Sequence, residues 1–269
     1  MAPKNCFLSA FFVIMSFLSS FCSCRSAREW YICIFYKTHL TTNLLFKSFI
    51  FILIHTGGAC GFGNENDIAQ PPFSSKIAAG NRALFKQGKG CGNCYAVLCS
   101  ANVYRACSGS PVKITITDEC PNACNNDPVH FDFSSTAFGY LAKPGQADVL
   151  RKLGRINVHY QRVPCNYANQ KIAFKVDPGS NRYYFSAAIE YENGDGDVAS
   201  VEIQPAGSRR WFPMQQVFGA TYEYNIPKGT NGPFSIRLTQ VESRRRVVAK
   251  QAIPADWEPG SRYISSVNF

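Results

Sequence analysis

Two aspartates are placed where a chain could use them as a pair. Asp118 ends the alternating run Val112-Lys-Ile-Thr-Ile-Thr117, and Asp132 lies in His130-Phe131-Asp132. Each runs out into a short loop. Sugar hydrolysis needs two carboxyls flanking the scissile bond, one as acid and the other as base or nucleophile. Asp127 and Glu119 are the nearest alternatives for the second role. Acids at strand ends also cap strands and helices, and Asp132 stands two residues before Ser134, the expected start of a helix. Spacing along the chain leaves both readings open. Cys91-x-x-Cys94 has half the spacing of a zinc site, but no second Cys or His pair follows at usable distance. No metal and no cofactor is expected.

The elements that must position these acids are cysteine-dense. Of twelve cysteines, eight fall from Cys60 onward: Cys60, Cys91, Cys94, Cys99, Cys107, Cys120, Cys124 and Cys165. The chain opens with a basic start, an apolar run from Phe7 to Phe21 and small residues after it, so residues 1–24 read as a secretory signal peptide. Export with an even cysteine count implies disulfides, although spacing alone selects no connectivity. The formal net charge of +10 favours nucleic acid, anionic lipid or acidic polysaccharide as partners, and a basic secreted protein can also do without any of them.

The pattern is mainly β. Tyr95–Leu98, Val112–Thr117 and Ile156–Val163 read as strands, with short helices over 134–140 and 147–153. The texture changes at Gly57, whose glycine-rich run to Gly63 is a structural turn, and again near Asn166. Beyond that point Ile172/Phe174/Val176, Ala199/Val201/Ile203 and Phe234/Ile236/Leu238 alternate with polar residues, as half-buried strands of a β-sandwich do. This module holds no cysteine and must stand on its apolar core. Asn193-Gly-Asp-Gly-Asp197 has the look of a calcium loop but lacks the later glutamate, so it reads as a hairpin turn. Arg244-Arg-Arg246 reads as a solvated strand end that could face uronic acids. Trp257 reads as packing.

Cys91-Gly-Asn-Cys94-Tyr, Ile116-Thr-Asp-Glu-Cys120-Pro and His130-Phe-Asp132 with Ser-x-Thr-Ala-Phe-Gly139 behind it together resemble a plant expansin. Pro71-Pro-Phe-Ser-Ser75 and Lys86-x-Gly-Lys-Gly-Cys91 are similar to the β-expansin branch. The resemblance runs from Gly57 to Phe269. It implies a six-stranded double-psi β-barrel over 57–165, similar to that of family-45 endoglucanases, followed by an immunoglobulin-like, carbohydrate-binding β-sandwich over 166–269. It implies a secreted, extracellular protein that loosens plant cell walls without hydrolysis, acting as a monomer on cellulose and xylan-type matrix glycans and not on nucleic acid or membrane. Asp132 then matches the general acid of the endoglucanases and Asp118 a second groove carboxylate. Trp211, Tyr184 and His130 would contact polysaccharide, the first two as a flat aromatic platform for pyranose rings. The implied disulfides are Cys60–Cys91, Cys94–Cys165, Cys99–Cys107 and Cys120–Cys124.

One segment departs from the family. Expansins open the barrel with a Thr-Trp-Tyr-Gly strand that this chain lacks. Residues 25–56 form an atypical segment, read either as an artefact of the gene model, translated from intron, or as genuine chain beside an impaired groove. Phe49–Ile54 is the candidate substitute strand. The alternatives to wall loosening are a family-45-like endoglucanase and a carbohydrate-binding protein that has lost its groove.

Overall fold

The computed structural model describes residues 22–27, 30–35, 46–50 and 58–269. Most of the expected signal peptide lies outside them. Strands β1 (Cys22–Ala27) and β2 (Trp30–Phe35) form an antiparallel hairpin that is a unit by itself. The remaining strands belong to the second unit.

Six strands close a barrel in the order β3-β7-β4-β6-β5-β8. They are β3 (Phe46–Ile50), β4 (Ile77–Gly80), β5 (Cys94–Leu98), β6 (Val112–Glu119), β7 (Phe131–Phe133) and β8 (Ile156–Val163). Strand β3 pairs in parallel with β7 and antiparallel with β8, and so completes the ring. It overlaps the substitute strand expected from sequence only at residues 49 and 50; residues 51–54 lie outside the described chain. Phe131, Phe133, Ile114, Ile116 and Tyr95 fill the barrel, and Phe138 and Leu150 close it from outside the sheet. Phe138 belongs to a short helix, Ser135–Tyr140, capped by the Ser134 hydroxyl, which accepts from Ala137 N at 3.0 Å. Four disulfides, Cys60–Cys91, Cys94–Cys165, Cys99–Cys107 and Cys120–Cys124, staple the loops.

The rest of the unit is a sandwich. Strands β9 (Ala173–Val176), β10 (Tyr184–Glu190), β13 (Gln215–Phe218), β14 (Thr221–Asn225) and β17 (Arg262–Ile264) form one sheet. Strands β11 (Val198–Pro205), β12 (Phe212–Pro213), β15 (Phe234–Gln240) and β16 (Arg246–Ile253) form the other. Phe174, Phe185, Ile203, Phe234 and Leu238 interdigitate between them. One expected inward residue is corrected: Ala199 is exposed, because a bulge between Val198 and Ser200 shifts the register and sends Val198 to the core instead. Trp257 does pack, edge-on against Phe185 at 5.4 Å.

The outer face of the five-stranded sheet lies against the barrel. Ala220 N donates to Cys60 O at 3.0 Å. At Gly61 (φ +81°) a Cβ would fall 2.7 Å from Thr221 Oγ1 and 3.2 Å from the Phe218 ring, so only glycine allows this approach. Charges close the seam. Asp67 of the barrel accepts from Lys175 Nζ at 2.9 Å and lies 3.3 Å from Arg262, which donates through Nε to the fully buried Glu190 at 2.8 Å. Arg162 bridges Asp197 and Asn93. The Asn193–Asp197 loop is a turn whose acids are committed: Asp197 to Arg162, and Asp195 to the backbone of Glu242 and Ser243.

Two predictions follow from this seam. Arg262→Met leaves the Glu190 carboxylate buried without its guanidinium and should cost about 3 kcal/mol in urea unfolding; an unchanged midpoint would contradict the pairing. The second concerns Glu192, buried in the same seam among Lys89, Asp197 and Tyr222. Burial, then the charge of Asp197, holds its carboxyl well above the ordinary value of 4.5. A carboxyl raised on folding stabilises most below its unfolded value and loses that contribution as pH rises through its folded value. The melting temperature should therefore fall as pH climbs above 4.5, and Glu192→Gln should flatten the fall and melt higher at neutral pH. A variant with the same pH slope as the wild type would sink this account.

Candidate functional site

The two central acids lie on one face because the sheet is irregular. On β7, Phe131 and Phe133 point into the barrel, so Asp132 points out. Strict alternation along β6 would send Asp118 inward, after Ile114 and Ile116. Instead the register slips at Thr117: Ala78 faces Ile116, and Ala79 faces Asp118. This bulge turns Asp118 outward. Ala79 also faces Asp132 on its other side. Asp132, Ala79 and Asp118 thus form a row across three adjacent strands, the backbones of the outer two about 10 Å apart across the sheet.

The two acids differ in what holds them. Asp118 Oδ1 accepts from Ala59 N at 2.6 Å and from Glu119 N at 2.8 Å. It fastens the glycine loop to the end of β6, where a Cβ on Gly58 (φ +62°) would fall 2.5 Å from Thr117 O. Asp132 is nearly buried, at 6 % exposure, with Cys120 Sγ 3.7 Å from its Oδ2. Among the described residues, Cys120, Cys124 and Asp132 also bring ligand-type atoms within 4.8 Å of one another, but the two sulfurs are joined in a disulfide.

Other expected residues are corrected. His130 is fully buried, and its Nδ1 lies 2.8 Å from Asp127 Oδ2. A ring in that position cannot touch a polymer; it positions the start of β7. Burial pushes its pKa below the ordinary value, with the Asp127 carboxylate pulling the other way. Asp127 also pairs with Arg155. It is committed to an internal ion pair and is no alternative base.

Trp211 and Tyr184 do not share a platform. Trp211 lies 4.5 Å under the guanidinium of Arg237, which points away from the core of the four-stranded sheet between the inward Ile236 and Leu238. Tyr184 precedes the inward Phe185 and stands on the outer face of the five-stranded sheet, its hydroxyl donating to Glu223 at 2.8 Å. That bond, reinforced by burial, raises its pKa. The two rings are on opposite sides of the sandwich. The aromatic sharing the face of Tyr184 is Phe218, 45 % exposed, which a slip between Gln216 and Phe218 pairs with Thr221. No sequence motif marks Phe218. Its only signal is its place beside Gly219, where a Cβ would fall 2.2 Å from Ala59 O.

Comparison with known proteins agrees with this architecture. A family model described as expansin C-terminal domain matches residues 172–254, and one described as lytic transglycolase matches residues 77–160. Expansin-B4 of Arabidopsis thaliana is 51% identical over 215 residues, 80% of this chain and 81% of that protein. Expansin-B11 of Oryza sativa subsp. japonica is 50% identical over 216 residues, 79% of this chain and 72% of that protein. The crystal structure of apo Clavibacter michiganensis expansin superposes with a TM-score of 0.61 at 20% identity, covering 82% of this chain and 95% of that one. A mutant of that protein in complex with cellohexaose also scores 0.61, at 19% identity, covering 83% and 96%. The two-module architecture is therefore that of expansins, and at half identity over four fifths of its length the chain belongs to the expansin family, in its β-expansin branch.

Proposed function

We propose that this β-expansin, a member of a family that loosens plant cell walls without hydrolysis, engages one wall glycan along a continuous surface, from the row Asp132–Ala79–Asp118 across the glycine loop to Phe218 and Tyr184. The observation that carries this reading is the short path between the two parts: Asp118 holds Ala59, and Gly61, two residues on, abuts the Phe218 ring. Tyr184 lies four residues before Ala188, which faces Thr221 beside Phe218. The aromatic track thus extends about 14 Å along the strands. Flat rings stack on the C–H faces of pyranoses, and the groove carboxylates hydrogen-bond sugar hydroxyls. A chain held there loses contacts with its neighbours, and the wall yields by exchange of non-covalent contacts.

The absence of hydrolysis has a physical reading in the same residues. Asp118 is engaged as an anchor of the backbone, and Asp127 is locked to His130 and Arg155, so neither is free to activate water opposite Asp132. In this proposal the barrel module runs over 57–165 with strand β3 (46–50) added to the expected span, because β3 completes the ring, and the sandwich runs over 166–269. The protein is exported after loss of residues 1–24 and acts outside the cell as a monomer on cellulose or xylan-type glycans. The cellohexaose complex of the bacterial relative supports a neutral glucan as one occupant.

Phe218→Ala and Tyr184→Ala should each weaken binding to cellulose roughly tenfold, about 1.4 kcal/mol, while Trp211→Ala stays within twofold. Loss at Trp211 alone would refute the assignment. In a constant-load extension assay on heat-inactivated wall strips, the protein should cause creep and release no reducing sugar. Asp132→Asn should reduce creep several-fold with binding retained. Sugar release that depends on Asp132 would instead make the protein an endoglucanase.

A further inference from the structure

The outer faces of the two sheets differ in charge. On the five-stranded sheet the charges neutralise one another or the barrel: Glu190 with Arg262, Lys175 with Asp67. On the four-stranded sheet, β11, β12, β15 and β16 contain a single acid, Glu202. It is already taken, its carboxylate accepting from Arg237 Nε at 2.6 Å and lying equally close to Nη2. That bidentate pair also fixes the guanidinium against Trp211. On β16, Val247 and Ala249 pack on the core, so Arg246, Val248 and Lys250 project outward. Arg246 and Lys250 are exposed, and Arg246 Nε lies 3.4 Å from Thr239 Oγ1 on the neighbouring strand, across this face. The two cations stand about 14 Å apart along one strand. Between them and Trp211 the surface is mainly polar, with Ser200, Gln204, Ser235 and Thr239 on outer positions and Val248 and Pro213 as its apolar members.

We propose that this outer face of the four-stranded sheet is a second polymer-binding surface, for a glycan bearing carboxylate groups. Arg246 and Lys250 meet its carboxylates, and Trp211, partly exposed beside the Arg237–Glu202 pair, supports a sugar ring. The face lacks the protruding apolar side chains that would insert into a lipid layer. It has one ring where a nucleic-acid strand would want a series of stacking platforms. A hydrated, cationic surface with a single aromatic edge fits an extended acidic polysaccharide. Because the neutral aromatic track occupies the opposite face, one molecule could hold a neutral and an acidic polymer together. The proposal does not depend on the groove or on Phe218, so each can fail alone.

The test uses the full chain and measures binding to polygalacturonate and to glucuronoxylan across a salt series. Carboxyl-reduced forms of both polymers and cellulose serve as neutral references. Arg246→Gln/Lys250→Gln should lose tenfold or more affinity for the acidic polymers and keep its affinity for cellulose, which also reports an intact fold. Its slope of log K against log salt should become shallower by about one to two, as expected for two lost ion contacts. Arg246→Lys/Lys250→Arg should retain affinity. Lys143→Gln/Lys152→Gln removes the same net charge from exposed barrel positions and should change little. Whichever acidic polymer binds tighter identifies the source of the carboxylate. The proposal is overturned if the sheet variant binds as the wild type, if the barrel variant loses as much, or if the carboxyl-reduced polymers bind equally well. Tighter binding to single-stranded DNA or anionic phospholipid vesicles than to either acidic polymer, in the same buffer, would also overturn it.

Discussion

The rest of the site depends on one carboxylate oxygen. Asp118 Oδ1 takes the backbone N–H groups of both Ala59 and Glu119. Through the first it fixes the glycine loop; one residue on, Cys60 is disulfide-linked to Cys91 and accepts from Ala220 of the sandwich. Two residues on, Gly61 lets the five-stranded sheet approach. A barrel strand, a loop and a second module are thereby referred to one point. The bulge at Thr117 makes this possible, because without it the carboxylate would face the barrel interior.

Rigidity of this kind suits a protein that works by contact. A hydrolase needs a base poised to move a proton, whereas a loosening protein needs a surface stiff enough to hold a polymer in a conformation its neighbours do not favour. Asp118 and Asp127, near Asp132, are spent on structure, and the seam between modules is closed by ion pairs, by tight glycines and by the buried Glu190 and Glu192. Fixing both modules in one orientation lowers the entropic cost of binding an extended ligand along both.

Much of this was legible in the sequence. The ordered cysteines and the two aspartate motifs identify the family, and the runs read as strands locate β6, β8, β9 and β15 closely. Legibility stopped where the period of two is broken. Bulges at Thr117, Ala199 and Val217 each reverse the face on which later residues fall, and no residue type announces them. Trp211 drew attention as the rarer and larger ring flanked by arginines, but which sheet a ring joins is decided by pairing far along the chain. His130 shares a motif with Asp132 yet points the other way, as neighbours on a strand must. Strand β3 carries no family motif, and its place in the ring comes from backbone pairing alone.

The most direct test of a single surface spanning both modules is an NMR titration of the labelled chain with a cello-oligosaccharide long enough to bridge them. The account predicts that the signals of Asp118, Ala59, Phe218 and Tyr184 shift together along one binding isotherm, while Trp211 stays unmoved. Shifts confined to one module, or centred on Trp211, would contradict it.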